Sequence, residues 1–322
     1  MFNFKTFNNI AEDGLDILRK NKFKEVSENP DGILLRSHNL LKEDFEDNLL
    51  CIARAGAGTN NIPKYEATKK GIVVFNTPGA NANAVKELVI CGMLLSSRGI
   101  VEGIEFAKNL DLEDSAGLNQ ALEAQKKTFA GNELAGKTLG IVGLGSIGSM
   151  LAQAAHTLGM RLVGYDPYIS IEGAWRLPRE VEKAETMEAL LKQSDYVSLH
   201  VPLVEATKNL INASNLKKFK NGARLINLSR GGIVNTNDVI AELENGNLGR
   251  FVTDFPTPEL IKRSAEKNDV VLLPHLGAST KEAEINCAVM AANQMVNYLQ
   301  DGTILNSVNF PRISLSRGTD HR

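Results

Sequence analysis

Short runs rich in β-branched and aliphatic residues alternate with amphipathic stretches through the middle of the chain. Thr138–Val142, Arg161–Tyr165, Tyr196–Val201, Arg224–Leu228, Arg250–Thr253 and Val270–Leu273 predict strands. Ile147–Leu158, Met187–Gln193 and Asp238–Glu244 predict helices between them. Strands alternating with helices imply a parallel sheet with right-handed crossovers, and six such strands make one complete doubly wound dinucleotide-binding domain. The segment before residue 80 repeats the theme on a smaller scale. Gly32–Arg36, Leu50–Ala53 and Ile72–Phe75 read as strands, with Leu41–Asn48 and Pro63–Lys70 as helical connections. Longer helical patterns cover Ala84–Ser97 and Lys281–Leu299, and Asp111–Lys127 reads as a solvated helix and loop.

This pattern predicts an α/β protein with two doubly wound domains. A larger one spans 83–280, and a smaller, flavodoxin-like one is built from 1–82 and the return segment 281–322. A length of 322 residues agrees with two domains. A net charge of −2, from 36 basic and 38 acidic residues, gives no general attraction to nucleic acid or an anionic membrane. No apolar run is long enough to span a bilayer, and the N-terminus lacks the pattern of a secretory signal. Cys51, Cys91 and Cys287 are scattered, odd in number and set in apolar sequence. They read as reduced, buried thiols of a cytoplasmic protein, with no disulfide frame and no metal site.

The chemistry begins at Gly143-Leu144-Gly145-Ser146-Ile147-Gly148. A GxGxxG alone is weak, but here it follows a predicted strand and opens a predicted helix. The next strand ends in Asp166, 18 residues after Gly148. The glycines allow a tight turn and close approach of a pyrophosphate to the helix N-terminus. The carboxylate accepts hydrogen bonds from the adenosine ribose. Asp166-Pro167-Tyr168 offers no adjacent arginine for a 2′-phosphate, which favours NAD over NADP. This is the fingerprint of a Rossmann domain.

Three later segments fall at predicted strand ends, where an open α/β sheet binds its ligands. They contain Arg230 (in Ser229-Arg230-Gly231-Gly232), Glu259 (in Asp254-Phe255-Pro256-Thr257-Pro258-Glu259) and His275 (in Pro274-His275-Leu276-Gly277). Taken singly, each is as readily a surface arginine, a rigid loop or a structural histidine. Together, beside a nicotinamide, they make a dehydrogenase site. His275 would remove the hydroxyl proton as hydride leaves. Glu259 would hydrogen-bond the other ring nitrogen, fixing the tautomer and raising the imidazole pKa. Arg230 would hold the substrate carboxylate and polarise the carbonyl that forms.

On Gly143–Gly148, Asn227–Val234 and Pro274–Thr280, together with Arg54–Ile62 and Asn76-Thr77-Pro78-Gly79, the chain resembles the D-2-hydroxyacid dehydrogenase family along nearly its whole length. The resemblance implies catalytic Arg230, Glu259 and His275. It implies NAD contacts at Ala57, Gly143, Gly145, Ser146, Ile147, Gly148, Asp166, Val201, Leu228, Ser229, Arg230, Asp254, His275, Gly277 and Ala278. Substrate contacts fall on Arg36, Ser37, Arg54, Gly56, Ala57, Gly58, Arg230 and His275, with Lys126 (or Lys127) reaching a partner subunit's site in a homodimer or larger homo-oligomer. One departure is that Glu259 follows Pro258 and precedes Leu260, where the family usually has Asp-Val-Phe-x-x-Glu-Pro. Arg36 and Arg54 suit a phosphorylated 2-hydroxy acid, D-3-phosphoglycerate being the expected substrate. A glycerate/hydroxypyruvate reductase is the alternative, and an NAD-sensing corepressor-like scaffold a third reading. Asn306–Pro311 followed by Arg312–Arg322 resembles a linker towards a serine-sensing regulatory (ACT) domain. A truncated or a naturally short form is expected on that ground.

Overall fold

The computed structural model describes residues 1–110 and 115–313. The chain divides into two compact units, one of residues 1–84 and 278 onward, the other of Val85–Gly277. The first unit carries a five-stranded sheet of β1 (Asn3–Phe7), β2 (Lys24–Glu25), β3 (Gly32–Leu35), β4 (Cys51–Arg54) and β5 (Val73–Phe75). Its order is β2-β1-β3-β4-β5 and every pair is parallel, the flavodoxin-like arrangement. The second carries β6 (Thr138–Val142), β7 (Arg161–Tyr165), β8 (Val181–Lys183), β9 (Tyr196–Leu199), β10 (Ala223–Asn227), β11 (Leu248–Thr253) and β12 (Val270–Leu272). The order is β12-β11-β10-β9-β6-β7-β8, again all parallel. The chain reverses direction across the sheet between β6 and β9, the switch point where such folds bind dinucleotides.

The central strands of the larger sheet are buried on both faces, which is why they read as continuous apolar runs. On one face Val197, Leu225 and Phe251 pack with Leu190 and Leu191 of the helix Met187–Gln193 and Val239 of the helix Thr236–Glu244. On the other, Leu139, Ile141 and Ile226 meet Val89 and Met93 of the helix Ala82–Ser97 and Leu151 and Ala155 of the helix Ser146–Thr157. The last carbonyls of Ala82–Ser97 are taken up by arginines from two strands. Arg224 Nε donates to Ser96 O at 2.9 Å and Arg250 Nη1 to Leu95 O at 3.1 Å. In the smaller unit the helix Glu12–Lys20 lies close on the long helix Lys281–Asp301. A methyl group at Gly14 would stand 2.8 Å from Ala288.

The structure corrects several sequence expectations. β1, β2 and β8 have no counterpart among the predicted strands. β1 buries Phe4 completely while its neighbours are half-buried, and β2 and β8 are short exposed pieces with no apolar pattern of their own. The helix expected at Leu41–Asn48 is absent. Leu40, Phe45 and Leu49 are the buried anchors there, spaced five and four apart rather than by a helical three and four. Turns tie the segment instead, with Leu41 N donating to Asn39 Oδ1 and Glu43 N to Leu40 O. The strand expected over Tyr196–Val201 ends at Leu199. Within Asp111–Lys127 a helix covers Ser115–Gln125 and a 3₁₀ turn Lys126–Phe129, while residues 111–114 lie outside the described residues. Residues 314–322 of the expected linker also lie outside them. Cys91 is exposed, against expectation, whereas Cys51 and Cys287 are buried, and all three are free thiols. Among the described residues no helix is long and apolar enough to cross a membrane.

Candidate active site

The glycine loop sits between β6 and the helix Ser146–Thr157, and its backbone leaves little choice of residue. Gly143 has φ +92°, and a Cβ there would stand 2.6 Å from His200 O. A Cβ on Gly148 would come within 2.1 Å of Gly143 O, so this glycine lets the helix lie directly on the loop. Around Gly145, by contrast, the space is open. Ser146 and Ile147 open the helix, presenting their N–H groups where an anion would be held. Asp166, just past the end of β7, is locked by two backbone donors. Leu144 N reaches Oδ2 at 2.8 Å and Tyr168 N reaches Oδ1 at 2.9 Å. The carboxylate therefore tethers the loop as well as facing the cavity of about 300 Å³ that Gly145, Ser146, Tyr168, Ser170, Glu172 and Arg176 line. Arg176 belongs to no motif and stands well beyond Asp166 along the chain, so only the fold reveals this cation.

At the ends of β9 and β10 the loops are stitched to each other. Ser229 Oγ donates to Val201 O at 2.6 Å. Asn227, almost fully buried, donates from Nδ2 to Arg230 O at 2.9 Å and accepts from Ser229 N at 3.2 Å. Leu228 is buried beneath them. This buried amide folds the turn so that the Arg230 side chain emerges into solvent, its Nη1 resting on Ser229 O at 2.6 Å. Asn227 heads the segment that carries Arg230 in the sequence, but its work in folding the turn shows only in the structure.

Asp254, just after β11, is completely buried. Its Oδ2 accepts from Gly277 N at 3.1 Å and its backbone carbonyl accepts from His275 N at 3.0 Å. Burial raises the Asp254 pKa, and the amide of Gly277 and the nearby His275 and Arg230 oppose that rise. Its Oδ1 has no hydrogen-bond partner although it is shielded from solvent. A buried carboxylate oxygen without a donor is costly, and it fits an occupant that brings an N–H. His275 adopts φ +52°, a conformation non-glycine residues seldom take, with its exposed ring 5.1 Å from Phe255. The Asp254 carbonyl holds it there. Arg230, Asp254 and His275 are thus brought together at neighbouring strand ends.

Glu259 is on the same rim, at the start of the helix Pro258–Glu266 that Thr257 caps. No hydrogen bond joins its side chain to the His275 ring among the described residues. Its own backbone N–H and the Thr257 side chain hold the carboxylate and lower its pKa. A helix N-terminus attracts a carboxylate, and here it holds that of Glu259. Thr253 Oγ1 accepts from Phe255 N at 3.2 Å, fixing the aromatic residue that contacts His275. Neither Thr253 nor Phe255 carries a sequence signal that would single it out.

In the smaller unit Arg36 and Arg54 share a frame at the ends of β3 and β4. Arg54 Nε donates to Arg36 O at 3.0 Å, and its Nη1 also donates to Gly58 O. Gly56 makes room for that guanidinium, since a Cβ would stand 2.8 Å from Arg54 Nη1. The N–H groups of Arg36, Ser37 and His38 converge on Asn8 Oδ1 at 3.4, 2.9 and 2.7 Å. Asn61 Nδ2 ties the carbonyls of Arg36 and His38. Ala57 O accepts from Asn76 Nδ2 at 2.7 Å. Ala278, at the head of the return segment, belongs to this unit as well. Lys126, in the larger unit, is exposed and ion-paired with Glu123.

Comparison with known proteins identifies the family. Residues 93–277 match the family model described as D-isomer specific 2-hydroxyacid dehydrogenase, NAD binding domain. The chain is 37% identical over 289 residues to a D-3-phosphoglycerate dehydrogenase of Synechocystis, covering 88% of this chain and 50% of that protein. It is 36% identical over 275 residues to a hydroxypyruvate reductase of Thermotoga maritima, covering 83% and 84%. The NAD⁺-bound 3-phosphoglycerate dehydrogenase of Entamoeba histolytica superposes with a TM-score of 0.74 at 26% identity, covering 96% of this chain and 99% of that one. The chain spans 50% of the Synechocystis relative and 60% of the one from Bacillus subtilis. The family model and these relatives show that the chain belongs to the D-isomer-specific 2-hydroxyacid dehydrogenase family.

Proposed function

We propose that the protein oxidises D-3-phosphoglycerate to 3-phosphohydroxypyruvate with NAD, the entry step of serine biosynthesis. The observation that carries the reading is the gathering of Arg230, Asp254 and His275 at adjacent strand ends, with a buried acceptor on Asp254 still lacking a donor. Gly143–Gly148, Asp166, Val201, Leu228, Ser229, Asp254 and Gly277 would hold NAD. NAD, when bound, supplies the acceptor for the hydride leaving C2 of the substrate. The second hydrogen of the alcohol leaves as a proton, which His275 takes from the hydroxyl and returns in the reverse reaction. Arg230 grips the carboxylate with its planar fork and stabilises the negative charge growing on the C2 oxygen. Glu259 acts by swinging from Thr257 to the imidazole, where it would hold one tautomer.

For the substrate's phosphate we assign Arg36 and Ser37, with Arg54 and the Gly56-Ala57-Gly58 backbone meeting its carboxylate end. Lys126 would serve the site of a neighbouring copy in a homo-oligomer built through the nucleotide-binding unit. Three unpaired thiols support a reducing, cytoplasmic setting. A second reading, reduction of hydroxypyruvate, is favoured by the Thermotoga maritima relative, which matches over most of both chains. Steady-state rates with 3-phosphohydroxypyruvate, hydroxypyruvate and pyruvate separate the two. The phosphorylated substrate is expected to win by at least tenfold in kcat/KM, and Arg36→Ala to erase that margin. Equal rates, or a margin that survives Arg36→Ala, would refute the assignment.

A further inference from the structure

The arginine assigned to the substrate phosphate already has an anionic neighbour. Arg36 Nη1 meets Glu284 Oε1 at 2.7 Å, both within the smaller unit, Glu284 being in the first turn of the long helix Lys281–Asp301. The contact uses one guanidinium nitrogen and one carboxylate oxygen, and the two side chains remain 37% and 46% exposed. An open, single-point pair of this kind contributes little to the fold.

Two roles are open to such a carboxylate. It either props Arg36 in position for the phosphate, or occupies the place the phosphate must take. The frame around Arg36 is built on its backbone. Its N–H is held by Asn8 Oδ1, and its carbonyl accepts from both Arg54 Nε and Asn61 Nδ2. None of these bonds involves Glu284. Arg54 donates to Arg36 O and to Gly58 O. The backbone that carries Arg36 is therefore set without Glu284. What Glu284 adds is a negative charge at the guanidinium, which a phosphate dianion must displace or tolerate.

From this we infer that Glu284 is a specificity-determining residue, a built-in competitor whose carboxylate stands in for the substrate phosphate on Arg36 and weakens the site's preference for phosphorylated acids. The inference rests on the assignment of Arg36 to the phosphate. It adds that the margin between phosphorylated and unphosphorylated substrates is held below what Arg36 without that neighbour would give. An anion entering the site takes over the Arg36 fork, and the Glu284 side chain swings out to solvent on its exposed helix turn.

The test is the ratio of kcat/KM for 3-phosphohydroxypyruvate to that for hydroxypyruvate in the full chain, for wild type, Glu284→Gln, Glu284→Ala and Arg36→Ala. The ratio is internal to each folded enzyme, so loss of active protein cancels. Glu284→Gln keeps the shape and the acceptor while removing the charge, and should raise the ratio about threefold to tenfold, with Glu284→Ala in the same direction. Inorganic phosphate should inhibit Glu284→Gln at correspondingly lower concentrations than wild type. A ratio unchanged or lowered in both Glu284 variants, while Arg36→Ala still abolishes the phosphate preference, overturns the competitor role and leaves the substrate assignment standing. A phosphate preference that survives Arg36→Ala removes the assignment and the inference together.

Discussion

Gly148→Ala puts the cofactor reading to a geometric test. The added methyl would lie 2.1 Å from Gly143 O, and ordinary contact begins near 3.4 Å, so the loop and helix must part by about 1.3 Å. Neither side yields cheaply. Gly143 is held by its own N–H to Tyr165 O at 2.9 Å and lies against His200 O, and Leu144 is tethered to Asp166 at 2.8 Å. Alanine is the better helix former by about 0.5–1 kcal/mol, which offsets part of the strain, so the fold should survive with a net loss of about 1–3 kcal/mol. The loop over which the pyrophosphate is expected to lie is what moves, and a displacement of about 1 Å at such a site costs on the order of a hundredfold in rate. The chain's single tryptophan, Trp175, belongs to the short helix after Asp166 and gives a direct assay by energy transfer to NADH. Gly148→Ala should bind NADH at least tenfold more weakly while its far-ultraviolet circular dichroism stays native. Wild-type NADH affinity in a folded Gly148→Ala protein would refute the placement of the cofactor on this loop.

Other outcomes follow from neighbouring groups. Asp254→Asn keeps an oxygen for Gly277 N–H but offers an N–H₂ where Oδ1 lacks a donor, so NADH titration should show binding weakened about tenfold, and an unchanged affinity would mean the orphaned oxygen has no part in holding NAD. Burial pushes the His200 pKa from 6.5 down to about 4, so the unfolded chain binds the extra proton first as pH falls. That contribution is intact above pH 6.5 and drains away between there and about pH 4, by at most about 3 kcal/mol. Urea melts of wild type and His200→Asn should converge across that window, and parallel pH profiles would contradict it. Arg250→Ala removes donors to Leu95 O and Arg98 O and strands Glu102, so thermal melting should show a loss of about 2–4 kcal/mol, whereas exposed Arg179→Ala should be neutral.

The larger sheet is legible in the sequence because its strands are buried on both faces and separated by helices of clear amphipathic period. β8 and β2 are not, because edge strands of two or three exposed residues carry no apolar signature, and only the neighbour across the ladder defines them. Leu41–Asn48 misleads because its apolar residues are anchors of an irregular loop, fixed by the pocket they fill rather than by a period. At the site, residues with distinctive chemistry or a motif, such as Gly143–Gly148, Asp166, Arg230 and His275, stand out along the chain by residue type and spacing. Those that work through backbone bonds do not. Asn227 and Thr253 shape the loops bearing Arg230 and Phe255, and such a role appears only when donors and acceptors are placed in space. A Glu259–His275 pairing is expected from residue types alone, whereas the hold of the Glu259 backbone and Thr257 on the carboxylate is a property of the helix start.

The proposed chemistry depends most directly on His275. NADH formation at 340 nm from NAD and D-3-phosphoglycerate, measured for wild type and His275→Ala with NADH affinity determined in parallel, isolates its role. The expected rate for His275→Ala is lower by about 10²–10⁴-fold, with cofactor affinity within a few fold of wild type. A His275→Ala protein that turns over at the wild-type rate would contradict this role, as would a wild-type protein that binds NADH yet oxidises no 2-hydroxy acid.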